Sequence, residues 1–219
     1  MNNILFLVSG EGGLLKFIES CIEHEFLPRC TINAVIADRD CGAVAFAKRK
    51  GIAYRVVKYS VANYLELLTA MNSVEFDVAI TTILKILHPN IVNNFEGKLI
   101  NVHPALLPAF EGRFHATEVA VKHGVKFVGT TVHYVSNEVD AGEIIAQSVT
   151  PIENTELLDF ALDIQFRSYC LSLLNVLLRF FNNNANEKTD SYNKTIFNPP
   201  LCFETDRFTE SFWNVIKRS

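Results

Sequence analysis

An open, mostly parallel α/β sheet is the fold this sequence predicts, and two observations carry it. Short apolar runs alternate steadily with stretches of helical spacing through the first hundred residues, and polar residues gather just where the apolar runs stop. Strands alternating with helices of that length need crossovers, which are right-handed between parallel strands. In such sheets ligands collect outside the carboxyl ends of the strands.

In chain order, residues 4–8 form a compact apolar run, followed at once by Ser9, Gly10, Glu11, Gly12 and Gly13 and then by helical spacing over 14–20. Strand, glycine turn and helix together set backbone N–H groups and a helix N-terminus at a strand's carboxyl end. Gly10, Gly12 and Gly13 are therefore candidates for holding a small anion, with plain tight-turn geometry as the alternative. Residues 31–37 read as a second strand, 43–50 as a helix stopped by Gly51, and 52–57 as a third strand. An amphipathic helix over 63–71 offers Leu65, Leu67 and Leu68 to the core, and 76–81 is a fourth strand. A loop with Leu84, Lys85, Ile86 and Leu87 leads to a short helix near 92–95 and a fifth strand at 98–102. Lys85 is a cation in an apolar loop and either snorkels to water or serves a ligand.

The second half is less regular. Helix-compatible spacing covers 114–124, and the β-branched and aromatic run 125–135 reads as a strand broken by Gly129. A turn at 136–142 carries Asp140 and leads into another strand, giving an antiparallel pair at the sheet edge. Residues 155–181 are a long helix expected to cover one face of the sheet, 182–195 a polar linker, and 196–219 a segment with Phe197, Phe203, Phe208, Phe212 and Trp213. So many aromatics must pack on the domain or on a partner, which leaves a homodimer open. The expected organisation is one domain over 1–181, the linker, and the aromatic tail.

Composition narrows the function. The 219 residues are 49% hydrophobic with a formal charge of −4, enough for a substantial core and without a general basic footprint, so nucleic acid is not expected as a partner. Five cysteines without C-x-x-C spacing argue against a zinc site or a disulfide framework. The N-terminal apolar run is too short for a membrane span and lacks a basic flank, so a cytoplasmic protein with reduced thiols is expected.

The stretch most suggestive of a site is Asn101-Val-His103-Pro104-Ala-Leu-Leu-Pro108. A period of two puts the Asn101 and His103 side chains on one side of the strand, and Pro104 and Pro108 make the segment after the strand a rigid loop. A capped strand end with a half-buried histidine is the bland alternative.

Taken with Ser9-Gly-x-Gly near the start and Gly129-x-Thr-Val-His133-Tyr-Val followed by Asp140-x-Gly142, this pattern resembles the folate-dependent formyltransferases, most closely the glycinamide ribonucleotide enzymes among them. The match runs from the first residues to about Phe181. The resemblance implies a Rossmann-like sheet with helices on both faces, and 10-formyltetrahydrofolate as donor co-substrate, with no metal. By position it implies Asn101, His103 and Asp140 as catalytic residues. The donor would lie between the loop of Leu84, Lys85, Ile86 and Leu87 and that of Ser136, Asn137, Glu138 and Val139. Gly10, Gly12, Gly13 and Gln165 would face a small-molecule amine acceptor.

One departure stands out. Relatives specific for the ribonucleotide continue the turn as Gly-Ser-Asn, where this chain has Gly12, Gly13 and Leu14. The donor half looks retained and the acceptor half altered. Three functions compete: formyl transfer to glycinamide ribonucleotide or to a nucleotide-linked amino sugar, hydrolysis of the formyl donor, and a non-catalytic binding module on the same fold.

Overall fold

A computed structural model describes residues 1–113, 115–152, 158–182 and 185–218. Its contacts divide the chain into two units, Met1–Asn101 with Phe208–Ser219, and Val102–Arg207.

The first unit is the expected alternation. In order come β1 (Asn2–Val8), α1 (Gly13–Glu23), β2 (Cys30–Ala37), α2 (Gly42–Lys50), β3 (Tyr54–Val56), α3 (Leu65–Asn72), β4 (Val78–Thr82), α4 (Pro89–Asn94) and β5 (Leu99–His103). The strands lie in the order β3-β2-β1-β4-β5, and every pair is parallel. β1 is central, and Ile4 to Val8 are wholly enclosed, which is why that strand reads as an unbroken apolar run rather than an alternating one. β3 is a short edge strand with all three residues exposed, a form that resists pairing with another chain. α2 stops at Gly51, which takes the left-handed conformation at φ 69°. Leu65 does not join the core as expected: it opens α3 and points outward, while Leu67 is fully buried.

The aromatic tail finds its packing partner here. α7 (Glu210–Arg218) packs on α1, with Trp213 stacked on Phe17 at 5.6 Å between ring centroids and 3° between planes. Phe208 and Phe212 each lie 6.1 Å from Phe17, and the Trp213 indole N–H donates to the Phe208 carbonyl at 3.1 Å. The polar tip of the indole is thereby satisfied inside an apolar cluster.

The second unit holds α5 (Ala116–Lys122), β6 (Phe127–Tyr134), β7 (Ile144–Pro151), α6 (Leu158–Phe181), β8 (Thr189–Tyr192) and β9 (Thr195–Leu201). Its strands run β6-β7-β9-β8, all antiparallel, so the expected edge pair is four strands deep. The stretch 182–195 includes β8, and the aromatic tail splits, β9 pairing with β7 here while α7 packs in the first unit. The expected helix starts at Phe114 and Thr155 lie outside the described residues.

Gly129 does not break its strand. β6 runs straight through it because the absent Cβ leaves room for the Leu106 side chain, which fills that space. α6 meets the sheet along a seam of small polar groups: Ser168 with Thr130 at 3.1 Å, Ser172 with Ser148 at 3.2 Å, and Asn175 donating to the Pro199 and Pro200 carbonyls. These bonds satisfy buried polar atoms that an apolar helix face would have left unmatched.

Candidate active site

β5 sets Asn101 and His103 two residues apart, the first half-buried and the second 6% exposed. The loop after β5 is fixed from β6 and β7. The Thr131 hydroxyl donates to the Ala105 carbonyl at 2.8 Å and accepts from the Leu107 N–H, while the Gln147 amide donates to the Leu107 carbonyl at 3.1 Å.

His103 then sits between two acceptors. Its Nδ1 lies 3.3 Å from Asp140 Oδ2, and its Nε2 donates to the Phe110 carbonyl at 3.2 Å. A carboxylate and a carbonyl only accept, so both ring nitrogens bond at once only when both carry hydrogen, as in the imidazolium. Asp140 takes a left-handed φ of 51°, and the Gly112 N–H donates to its Oδ2 at 2.9 Å. The turn that presents it closes with the Tyr134 N–H on the Glu143 carbonyl at 2.9 Å. A side chain at Gly142 would collide with the Tyr134 carbonyl, which accounts for glycine two residues after Asp140.

A second histidine belongs to this group, and sequence reasoning did not single it out as a site residue. His133 on β6 lies with its Nε2 3.7 Å from Asp140 Oδ1, and its Nδ1 donates to the Tyr134 carbonyl at 2.9 Å. Burial pushes its pKa down, against smaller opposing effects of that carbonyl and of Asp140. In the neutral form the hydrogen is on Nδ1 and a lone pair faces the carboxylate. The signal was its period-two spacing from Thr131 and Gly129 on one strand.

The other predicted residues fall into separate places. Ser136 to Val139 form an outward loop in which the Ser136 hydroxyl donates to the Glu138 carbonyl at 2.9 Å and Val139 is exposed. In the first unit, the loop of Leu84, Lys85, Ile86 and Leu87 presents Leu84 and Ile86 to solvent. Lys85 is tied within the protein: its Nζ lies 3.0 Å from the buried carboxylate of Asp38 and donates to the Tyr59 carbonyl at 2.7 Å.

The glycine turn is a packing device at a helix end. Gly12 has φ 73° and forms the N-cap of α1 without a side-chain cap bond, and a Cβ there would press on Ala43 at 2.8 Å. The Glu11 carboxylate rests against Gly42, the first residue of α2, where negative charge suits the helix end. Gln165 is buried in α6, its amide donating to the Gly129 carbonyl and to Thr130 Oγ1 at 2.7 Å, so it supports β6 instead of lining an open site. Among the described residues, no cluster of three His, Cys, Asp or Glu side chains is placed to hold a metal, and no helix is long and apolar enough to cross a membrane.

Comparison with known proteins shows the family of the chain. Residues 2–160 match the model of the formyl transferase family. The chain belongs to the formyl transferase family. The phosphoribosylglycinamide formyltransferase of Escherichia coli is 32% identical over 158 residues, 68% of this chain and 73% of that protein. The human trifunctional purine biosynthetic protein adenosine-3 is 35% identical over 158 residues, and the match spans only 15% of that much longer protein. Among solved structures, glycinamide ribonucleotide transformylase 1 from Symbiobacterium toebii superposes with a TM-score of 0.77 at 25% identity, covering 86% of this chain and 91% of that one. The family match ends near the start of α6, so β8, β9 and α7 lie beyond it.

Proposed function

We propose that this formyl transferase family member moves a formyl group from 10-formyltetrahydrofolate to a primary amine of a small acceptor, with Asn101, His103 and Asp140 as its catalytic residues. The observation that carries this reading is His103 held between the Asp140 carboxylate and the Phe110 carbonyl. The amine attacks the formyl carbon, the carbonyl oxygen becomes an oxyanion, and the bond from that carbon to the folate nitrogen breaks. The nitrogen–carbon bond of the product forms as the amine loses a proton and the folate nitrogen gains one. Asn101 supplies an amide N–H to the oxyanion. The Nε2 hydrogen of His103, now on a neutral carbonyl, is the one that turns to the reacting oxygen, because giving up the Asp140 bond would cost more. Asp140 orients the ring through Nδ1, supplies the counter-charge to it, and receives the amine's proton through water, to be passed on to the folate nitrogen.

For the donor, exposed apolar side chains that suit a face of a flat heterocycle lie at Leu84 and Ile86 in the 84–87 loop and, separately, at Val139 in the 136–139 loop. The acceptor's anionic group uses the backbone N–H groups of Gly10, Gly12 and Gly13. Gln165 is left out of the acceptor site because its amide is committed to β6. With Gly13 and Leu14 in place of a hydroxyl and an amide, an anion there loses two hydrogen bonds, about 3 kcal/mol or more than a hundredfold in affinity. Glycinamide ribonucleotide is therefore expected to be a poor acceptor beside a nucleotide-linked amino sugar. Steady-state assays of the purified protein with each acceptor check this. A specificity constant of about 10⁴ M⁻¹s⁻¹ or higher with glycinamide ribonucleotide would restore the purine acceptor. Donor consumption that ignores the amine would identify a hydrolase instead.

A further inference from the structure

Asp38 takes no part in this chemistry, yet it follows β2 directly and its side chain is completely enclosed. A buried carboxylate persists only where hydrogen bonds replace its water. Burial alone would raise the pKa of Asp38, but bonds from Arg39, Lys85 and Ser9 outweigh it and hold the value at about 2, so the group is an anion under any assay condition. Arg39 is its chain neighbour and donates from Nε at 3.0 Å, a local closure. Lys85 is the informative partner, because it comes from the 84–87 loop.

Two further segments grip the same loop. Ser9, at the end of β1, accepts the Leu84 N–H on its hydroxyl at 3.0 Å. Tyr59 donates its hydroxyl to the Ile86 carbonyl at 2.7 Å, accepts the His88 N–H at 2.9 Å, and offers its own carbonyl to Lys85. The loop is thus tied on its protein side at Leu84, Lys85, Ile86 and His88, while the Leu84 and Ile86 side chains stay 56% and 58% exposed. Polar ties beneath and apolar side chains outward describe a surface fixed in shape before a ligand arrives, and preorganisation of that kind is what a weakly polar ligand needs.

We infer that Asp38, acting through Lys85 and together with Ser9 and Tyr59, is the positioning residue that fixes the shape of the 84–87 loop for the donor, and that Lys85 is an internal tie and not an anion ligand. The inference rests on the reading of that loop as a donor wall. Asp38→Asn removes the charge with little change of size. It should raise the donor KM about tenfold while kcat and the acceptor KM stay within about twofold, and the Leu84 and His88 amides of the ligand-free protein should exchange faster.

A merely structural role is separated by the double variant Asp38→Asn/Lys85→Met, which leaves no unmatched charge inside. Its melting temperature should return toward wild type while the donor KM stays raised. A donor KM that recovers with the melting temperature, or unchanged exchange of the Leu84 and His88 amides in Asp38→Asn, would overturn the proposal. A folate analogue that protects no amide in 84–88 of the wild-type protein would instead reject the donor reading, and with it the role assigned to the tie.

Discussion

Replacing Asp140 by asparagine is expected to lower kcat by about a hundredfold or more while the protein melts within a few degrees of wild type. The expectation rests on geometry. His103 Nδ1 faces Asp140 Oδ2 at 3.3 Å, and Nε2 donates to the Phe110 carbonyl at 3.2 Å. An asparagine amide presents no negative charge to the ring, although its oxygen can stand in the Oδ2 position. Positive charge on the ring then has no counter-charge beside it, and the donor that steadies the oxyanion is weakened. With that oxygen in place asparagine keeps an acceptor for the Gly112 N–H and for His103 Nδ1, so the turn that carries residue 140 should hold and the charge alone is lost. Steady-state kinetics beside a melting curve check both halves, and unchanged turnover would reject the role of the carboxylate.

Trp213→Ala is expected to destabilise the protein by about 3–5 kcal/mol in denaturant unfolding. Trp213 is completely buried, stacks on Phe17, and also contacts Phe208 and Phe212 at 6.0 and 5.5 Å. Alanine leaves a void the size of an indole between α7 and α1, which neighbouring aromatics on two short helices can close only in part. A loss under about 1 kcal/mol would mean that α7 adds little to the first unit.

The legible parts of this protein are those in which one local pattern carries one structural demand. The apolar runs of β1, β2, β4 and β5 are central strands enclosed on both faces, and such strands announce themselves by composition. Asn101 and His103 were legible because a strand's period of two fixes their relation without reference to anything else in the chain. Asp140 was legible only through its motif, since nothing local says that residue 140 meets residue 103.

The hidden features were set by partners remote in sequence. Lys85 looked like a cation exposed or waiting for a ligand because its counter-charge, Asp38, lies at the end of a different strand. Gln165 looked like an acceptor group because its position matched a family pattern, whereas its burial depends on β6 passing beneath α6 at Gly129 and Thr130. β8 escaped notice because its residues are polar and turn-prone, and an edge strand paired on one side needs no apolar pattern.

Tracing the formyl carbon shows whether it ends on an amine. The wild-type protein would be given 10-formyltetrahydrofolate labelled with ¹³C in the formyl group, with and without a nucleotide-linked amino sugar, and the label traced by NMR. A formamide signal on the acceptor nitrogen is expected that needs both substrates and builds up about a hundredfold more slowly in Asp140→Asn. Label appearing as formate at the same rate with or without the amine would contradict it.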